Sequence, residues 1–182
     1  MAVGYSEKPG RIEVYSLDPA FTHVRTISSP GPGSGQDTFG SVKRLKFSAA
    51  GHLLVCDYGM NCLHEVTVDG GWVRSVAMTY AYCVAWHGDV VAVGTGSGPN
   101  RIKLLRDTGA GWTPLRGAGS KMNGCADIAF FPDGSLVLGV DGCQPFVYDV
   151  DTGALRSSID CGGTGICFSW RGEAILADSM PH

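Results

Sequence analysis

The sequence predicts an all-β chain of small, repeated antiparallel sheets, and three observations carry that reading. Residues 128–140, IAFFPDGSLVLGV, hold two apolar runs parted by Pro132-Asp133-Gly134. Proline presets φ for a turn, aspartate bonds the backbone beyond it and glycine accepts positive φ, so the stretch reads as a β-hairpin. The hairpin then recurs. VKRLKFSAAGHLLVCD (42–57), YCVAWHGDVVAVG (82–94) and GICFSWRGEAILAD (165–178) keep the order apolar strand, aromatic residue, turn glycine, apolar strand. Their glycines Gly51, Gly88, Gly134 and Gly172 stand 37, 46 and 38 residues apart. Finally, further short strands follow the hairpins on the same beat. Four short strands per repeat of roughly 40–50 residues is the pattern of a β-propeller blade.

Taken in order, residues 2–27 supply strands two to four of a blade. GRIEVYSL (10–17) sets Ile12 and Val14 against Arg11, Glu13 and Tyr15, and THVRTI (22–27) follows. Residues 41–78 make a complete blade, with Val42, Arg44 and Lys46 alternating against Lys43, Leu45 and Phe47, then NCLHEVTV and GWVRSVAM. Residues 82–117 add NRIKLL and GWTPLRG, and residues 125–159 add QPFVYDV and ALRSSI. Residues 165–178 supply two strands of another blade. Phe47, Trp86, Phe130 or Phe131, and Trp170 are expected to pack between blades. A β-sandwich also uses short strands, but it does not predict one aromatic–turn–glycine unit at a fixed period. No window has helical period with caps.

The whole chain, 1–182, reads as one propeller domain of about four four-stranded blades. Its ends allow two arrangements: a four-bladed ring with a redundant strand at 174–178, or an incomplete arc of a larger ring. An arc leaves strand edges open, which proteins normally cover. A homodimer pairing these terminal strands is one way to cover them.

Composition narrows the function. Hydrophobic residues make up 44% and charged residues 17%, as in ordered globular chains. The net charge is −3 and no basic run occurs, so neither nucleic acid nor an anionic membrane is an expected partner. No apolar run approaches the roughly 18–20 residues that span a bilayer, and the N-terminus has no signal-peptide pattern. Seven cysteines, at 56, 62, 83, 125, 143, 161 and 167, show no tight framework. An odd number without a secretion signal points to reduced thiols in a cytoplasmic or nuclear protein.

The stretch Gly33-Ser34-Gly35-Gln36-Asp37-Thr38-Phe39 followed by VKRLKFSAAGHLLVCDYGMNCLHEVTVDGGWV resembles an NHL repeat. Asp57, Gly59 and Asn61 match its Asp-x-Gly-x-Asn motif, and Asp69-Gly70 its end. Asn100-Arg101-Ile102 keeps a fragment of the pattern, while FFPDGSLVLGVDG resembles WD-like repeats equally well, although the Trp-Asp dipeptide is absent. The resemblance to the NHL/WD-like superfamily is strongest over 33–73. It implies an interaction platform as the usual role, with lyases and lactonases as the minority.

In a propeller, the turns joining strands two and three share one face with the connectors between blades. That face would hold 28–40, 58–60, 95–99 and 141–143, and its candidate binding residues are Phe39, Asp57, Tyr58, Asn61, Asn100, Arg101 and Asp141. The Gly/Pro/Ser-rich segment 28–40 is expected to be a surface loop. TGSGP (95–99) lacks the following helix and Lys-Ser/Thr of a phosphate loop. His52, Cys56, Cys62 and His64 have metal-ligand chemistry, but strand alternation separates them and His52 lies at the far turn. A Cys–His nucleophile lacks an orienting group. The Asp57-Gly59-Asn61 motif reads first as a turn clamp, and only secondarily as a cation ligand.

These readings predict a non-enzymatic scaffold that binds a protein or peptide on the loop face, with no catalytic residue, metal or cofactor. The alternative is an NHL-like metal-dependent lyase or a lactonase-type hydrolase with its site in the central channel. Such an enzyme needs inward-facing His, Asp or Glu from several blades, whereas the five histidines, at 23, 52, 64, 87 and 182, show no recurring placement.

Overall fold

A computed structural model describes residues 1–7, 9–30, 35, 37–141, 144–160, 165–168 and 173–177. Every regular element among them is a β-strand, and no helix there is long and apolar enough to cross a membrane. The chain falls into two compact units, Met1–Ala81 and Tyr82–His182.

The first unit holds two antiparallel sheets. One has three strands, β1 (Ala2–Tyr5), β2 (Arg11–Tyr15) and β3 (His23–Ile27), in that order. The other has four: β4 (Val42–Phe47), β5 (Leu53–Asp57), β6 (Cys62–Val66) and β7 (Trp72–Ala77). Ile12 and Val14 point inward from β2 and meet Val42, Leu53, Val55 and Val66 of the second sheet around Phe39. The expected alternation in β2 holds, with Ile12 and Val14 buried and their neighbours half-buried.

In β4 the alternation is different. A bulge lies between Val42 and Arg44 in the pairing with β5. One extra residue puts Val42 and Leu45 on the same side, and a side chain at Gly4 of β1 would touch both. The bulge accounts for the imperfect period-two pattern over 42–47.

The second unit holds a four-stranded sheet of β8 (Ala81–His87, starting at the last residue of the first unit), β9 (Val90–Thr95), β10 (Ile102–Asp107) and β11 (Trp112–Ala118). A second four-stranded sheet follows, with β12 (Asp127–Phe130), β13 (Leu136–Val140), β14 (Pro145–Asp149) and β15 (Leu155–Ser158). Strands β16 (Gly165–Phe168) and β17 (Ala174–Ala177) form a two-stranded sheet. The core here joins Ile102 and Leu104 to Ile128, Phe130, Val137 and Tyr148. Among the described residues, three four-stranded sheets with a three-stranded and a two-stranded one are consistent with an incomplete propeller.

The aromatic residues do not behave as four equivalents. Phe130 is buried, with the His87 ring 5.8 Å away. Trp86 is only half-buried and its indole N–H donates to the Gly88 carbonyl at 2.9 Å. Phe47, the last residue of β4 before the turn, is 49% exposed although its partner Leu53 on β5 is buried. Trp170 lies outside the described residues.

Gly51, Gly88 and Gly134 have the expected positive φ, and Gly172 lies outside the described residues. In both 48–51 and 131–134 the glycine N–H donates to the carbonyl three residues back, at 3.0 and 2.9 Å, with φ of 76° at Gly51 and 75° at Gly134. Asp133 Oδ1 accepts from the Ser135 N–H at 3.1 Å, the bond that the Pro-Asp-Gly turn predicts. Nothing lies within 4 Å of a Cβ built on Gly51, so Gly51→Ala should lose about 1 kcal/mol from the backbone conformation alone. At Gly134 a Cβ would also sit 2.1 Å from His87 Cδ2, so Gly134→Ala should lose more. Thermal midpoints compared side by side check the order, and two unshifted midpoints contradict it.

Candidate functional site

In the first unit the site is assembled around one carboxylate. Asp57 ends β5 and is fully buried. Its Oδ2 accepts from the Gly40 N–H at 2.7 Å, and its Oδ1 from the N–H groups of Ser41 and Met60 at 2.9 and 3.0 Å. One side chain thus ties the incoming connector to the turn that joins β5 and β6. Gly59 lets the two segments touch, since a Cβ there would lie 2.7 Å from the Ser41 nitrogen and 2.8 Å from the Gly40 carbonyl carbon. Asn61 completes the clamp. It adopts φ of 55°, its side-chain oxygen accepts from the Tyr80 N–H at 2.8 Å, and its carbonyl accepts from Met78 N–H at 2.7 Å. The Asp-x-Gly-x-Asn motif is a fastener between one turn and the connectors on both sides of its sheet.

Above this clamp Tyr58 and Tyr80 stack, with centroids 5.0 Å apart and planes 29° apart. The Lys43 ammonium lies 5.5 Å from the Tyr58 centroid. Tyr80 is 40% exposed and Met60 42%. Tyr80 also has φ of 54°, a conformation that bulky residues rarely adopt. The sequence carries no signal for it, and Tyr80 and Lys43 are the site residues that sequence reasoning missed.

Phe39 and Asp57 share this neighbourhood, and both side chains are fully buried. Phe39 is fully buried, packed edge-on to His64 with centroids 5.9 Å apart, and its carbonyl accepts from the Gly10 N–H at 2.9 Å. Tyr58, half-buried, and Asn61, exposed, remain at the face.

In the second unit the same kind of stitching recurs with other residues. Arg101 Nε donates to the Met122 carbonyl at 3.2 Å, joining the 96–101 turn to the 119–126 connector. Asn100 packs on β11, where a Cβ at Gly117 would meet its Nδ2 at 2.7 Å. Asp141 Oδ1 accepts from the Gln144 N–H at 3.0 Å. Asp141 also lines a recess of about 190 Å³ with Tyr82, Gly96, Gly124, Cys125 and Ala126. The structure therefore brings Asp141 to a concave surface and leaves Asn100 and Arg101 as half-buried staples.

The titratable residues of β6 are poorly suited to catalysis. Cys62 and His64 share one face, with Sγ 3.8 Å from Nδ1. Burial, with the Asp57 charge adding to it, pushes the Cys62 thiol up to about 11, and burial lowers the His64 pKa against an opposing pull from Asp57. The pair is a protonated thiol beside a neutral imidazole, not a thiolate–imidazolium couple. His64 Nδ1 is 2.7 Å from Ser75 Oγ. His52 is elsewhere, 3.0 Å from the buried Glu65, which Arg74 also meets at 2.6 Å. The four metal-type residues of the sequence do not converge.

No protein-family model matches the chain, and no curated protein matches it. Solved structures do resemble it. The β-propeller domain of Cps50 (Swd1) from Myceliophteria thermophila aligns with a TM-score of 0.71 at 15% identity, over 97% of this chain and 58% of that one. A putative 6-phosphogluconolactonase from Bacteroides fragilis aligns at 0.68 and 12% identity, over 92% and 57%. Sqt1 from Chaetomium thermophilum aligns at 0.64 and 22% identity, over 92% and 46%. This chain thus spans about half of the structures it matches, and the likeness is one of fold. It supports a β-propeller fold and does not single out the NHL form of it. The chain is an all-β protein with a β-propeller fold.

Proposed function

We propose that the protein is a non-catalytic interaction scaffold that binds a protein or peptide segment on the face formed by its strand-two-to-three turns and blade connectors. The observation that carries this reading is the Tyr58–Tyr80 stack. A bulky residue in the left-handed region costs roughly 1–3 kcal/mol and persists only where its surroundings impose it. Here the Asn61 side chain holds it, and the result is an aromatic pair with Tyr80 exposed and Tyr58 half-buried, near the exposed Met60 in sequence. Tyrosine and methionine are enriched where protein surfaces meet partners, and tyrosine supplies large contact area at low entropy cost.

The fold likeness to a putative lactonase gives weaker support to a hydrolase. Such chemistry needs several ionisable groups turned to one point, whereas His23 is paired with Glu13, His52 with Glu65, and His64 with Ser75.

A displayed library of random peptides, selected on the full chain, tests the reading. Enriched peptides should lose at least about tenfold in affinity for both Tyr58→Ala and Tyr80→Ala, the loss expected of a contact worth about 1.4 kcal/mol. Selected peptides that bind both variants as well as the unaltered chain would sink the proposal, as would a selection that enriches none.

A further inference from the structure

We propose that Cys83 and Cys125 form a redox-modification site, a thiol pair that a hydroperoxide converts into a disulfide. Cys83 belongs to β8 and Cys125 to the 119–126 connector, 42 residues away in sequence. Their sulfurs nevertheless lie 3.7 Å apart, and the Cys83 thiol also reaches the Cys125 carbonyl at 3.4 Å. A disulfide needs about 2.05 Å between its sulfurs, so the two side chains must rotate toward each other to close the remaining gap.

The fold keeps room for this contact. Gly94 of β9 faces the pair, and a Cβ there would stand 2.2 Å from the Cys83 sulfur and 2.6 Å from that of Cys125. Any other residue at 94 would occupy the space where the sulfurs meet. The Cys125 thiol is further held toward the Asp127 carbonyl at 3.3 Å.

Both thiols are buried, Cys83 fully and Cys125 with 3% of its surface exposed, but Cys125 lines the recess of about 190 Å³ beside Tyr82 and Asp141, and Cys83 is not among its lining residues. The recess admits a molecule the size of hydrogen peroxide, so Cys125 reacts first. Its sulfur attacks one peroxide oxygen, the O–O bond breaks, and Cys125 sulfenic acid forms as water or an alcohol leaves. The Cys83 sulfur then attacks the sulfenic sulfur. The S–O bond breaks, and the hydroxyl departs as water with the Cys83 proton. The two thiols together lose two electrons to the peroxide. The new bond fastens β8 to the connector that leads out of β11.

The unaltered full chain, freed of reductant, is treated with hydrogen peroxide, alkylated with iodoacetamide under denaturing conditions, and digested for mass mapping. A Cys83–Cys125 linked peptide that dithiothreitol dissolves is the expected product, and two thiols are lost with it. In Cys83→Ala the reaction should stop at Cys125 sulfenic acid, which dimedone captures. The exposed Cys167 gauges the dose. Protein in which Cys167 is oxidised while Cys83 and Cys125 are both recovered alkylated overturns the proposal. Cys125 linked to any other cysteine overturns it too. The unaltered chain decides the matter even if the variant fails to fold.

Discussion

Asp57→Ala is expected to lower the free energy of unfolding by roughly 3–5 kcal/mol, because a charged acceptor disappears and several N–H groups lose it together. Asp57 receives the backbone of Gly40, Ser41 and Met60, and Ser41 is itself buried. Each hydrogen bond to a charged group contributes about 1.5–3 kcal/mol, and water that reaches the partly exposed Gly40 and Met60 returns part of the loss. Asp57→Asn keeps one oxygen acceptor, so it should fall between the two. Denaturant unfolding of the three proteins with a common m-value checks the series. A loss below about 1 kcal/mol for alanine would mean that the carboxylate is not the fastener it resembles.

Phe39→Ala should cost about 3–5 kcal/mol, the range for emptying a buried aromatic site. Its ring is fully buried among Ile12, Val42 and Leu53, and it packs edge-on against the His64 imidazole. Phe39→Leu, which refills most of the volume, should recover more than half of that loss. The effect should appear in stability and not in peptide binding by the folded fraction. If Phe39→Ala instead leaves the unfolding midpoint unchanged and abolishes binding of selected peptides, Phe39 belongs on the surface after all. The two losses should not simply add, since Asp57 binds the residue next to Phe39 and neighbouring sites couple.

The strand order was legible because each blade writes it locally. Glycine with positive φ at 51, 88 and 134 punctuates β-branched and aromatic runs, and the strands lie where those runs predict them. The bulge at Val42–Arg44 was not legible, since an extra residue in one strand leaves the pattern of residue types nearly unchanged. The Asp57 clamp was half legible: Asp-x-Gly-x-Asn announces a tight turn, but its reach to Gly40 and Tyr80 is tertiary. Phe39 was misplaced because its flanks are rich in glycine, serine and proline, the composition of an exposed loop. Tyr80 was missed for the opposite reason. Nothing about tyrosine favours a left-handed backbone, and only the Asn61 side chain explains it.

Within each unit, several of the bonds that tie turns to connectors are short in sequence. Gly40 and Ser41 reach Asp57 across 17 and 16 residues, Tyr80 reaches Asn61 across 19, and Arg101 reaches Met122 across 21. Closing a loop of that size costs less chain entropy than closing a longer one, by about 0.6 kcal/mol for each doubling of length. Each sheet can therefore set its own part of the face while it folds, without waiting for contacts from distant repeats. Such a surface is modular. It can gain, lose or rewrite one repeat's contribution while the neighbouring ones keep their shape, which gives a repeat protein a way to change partners without redesigning its fold.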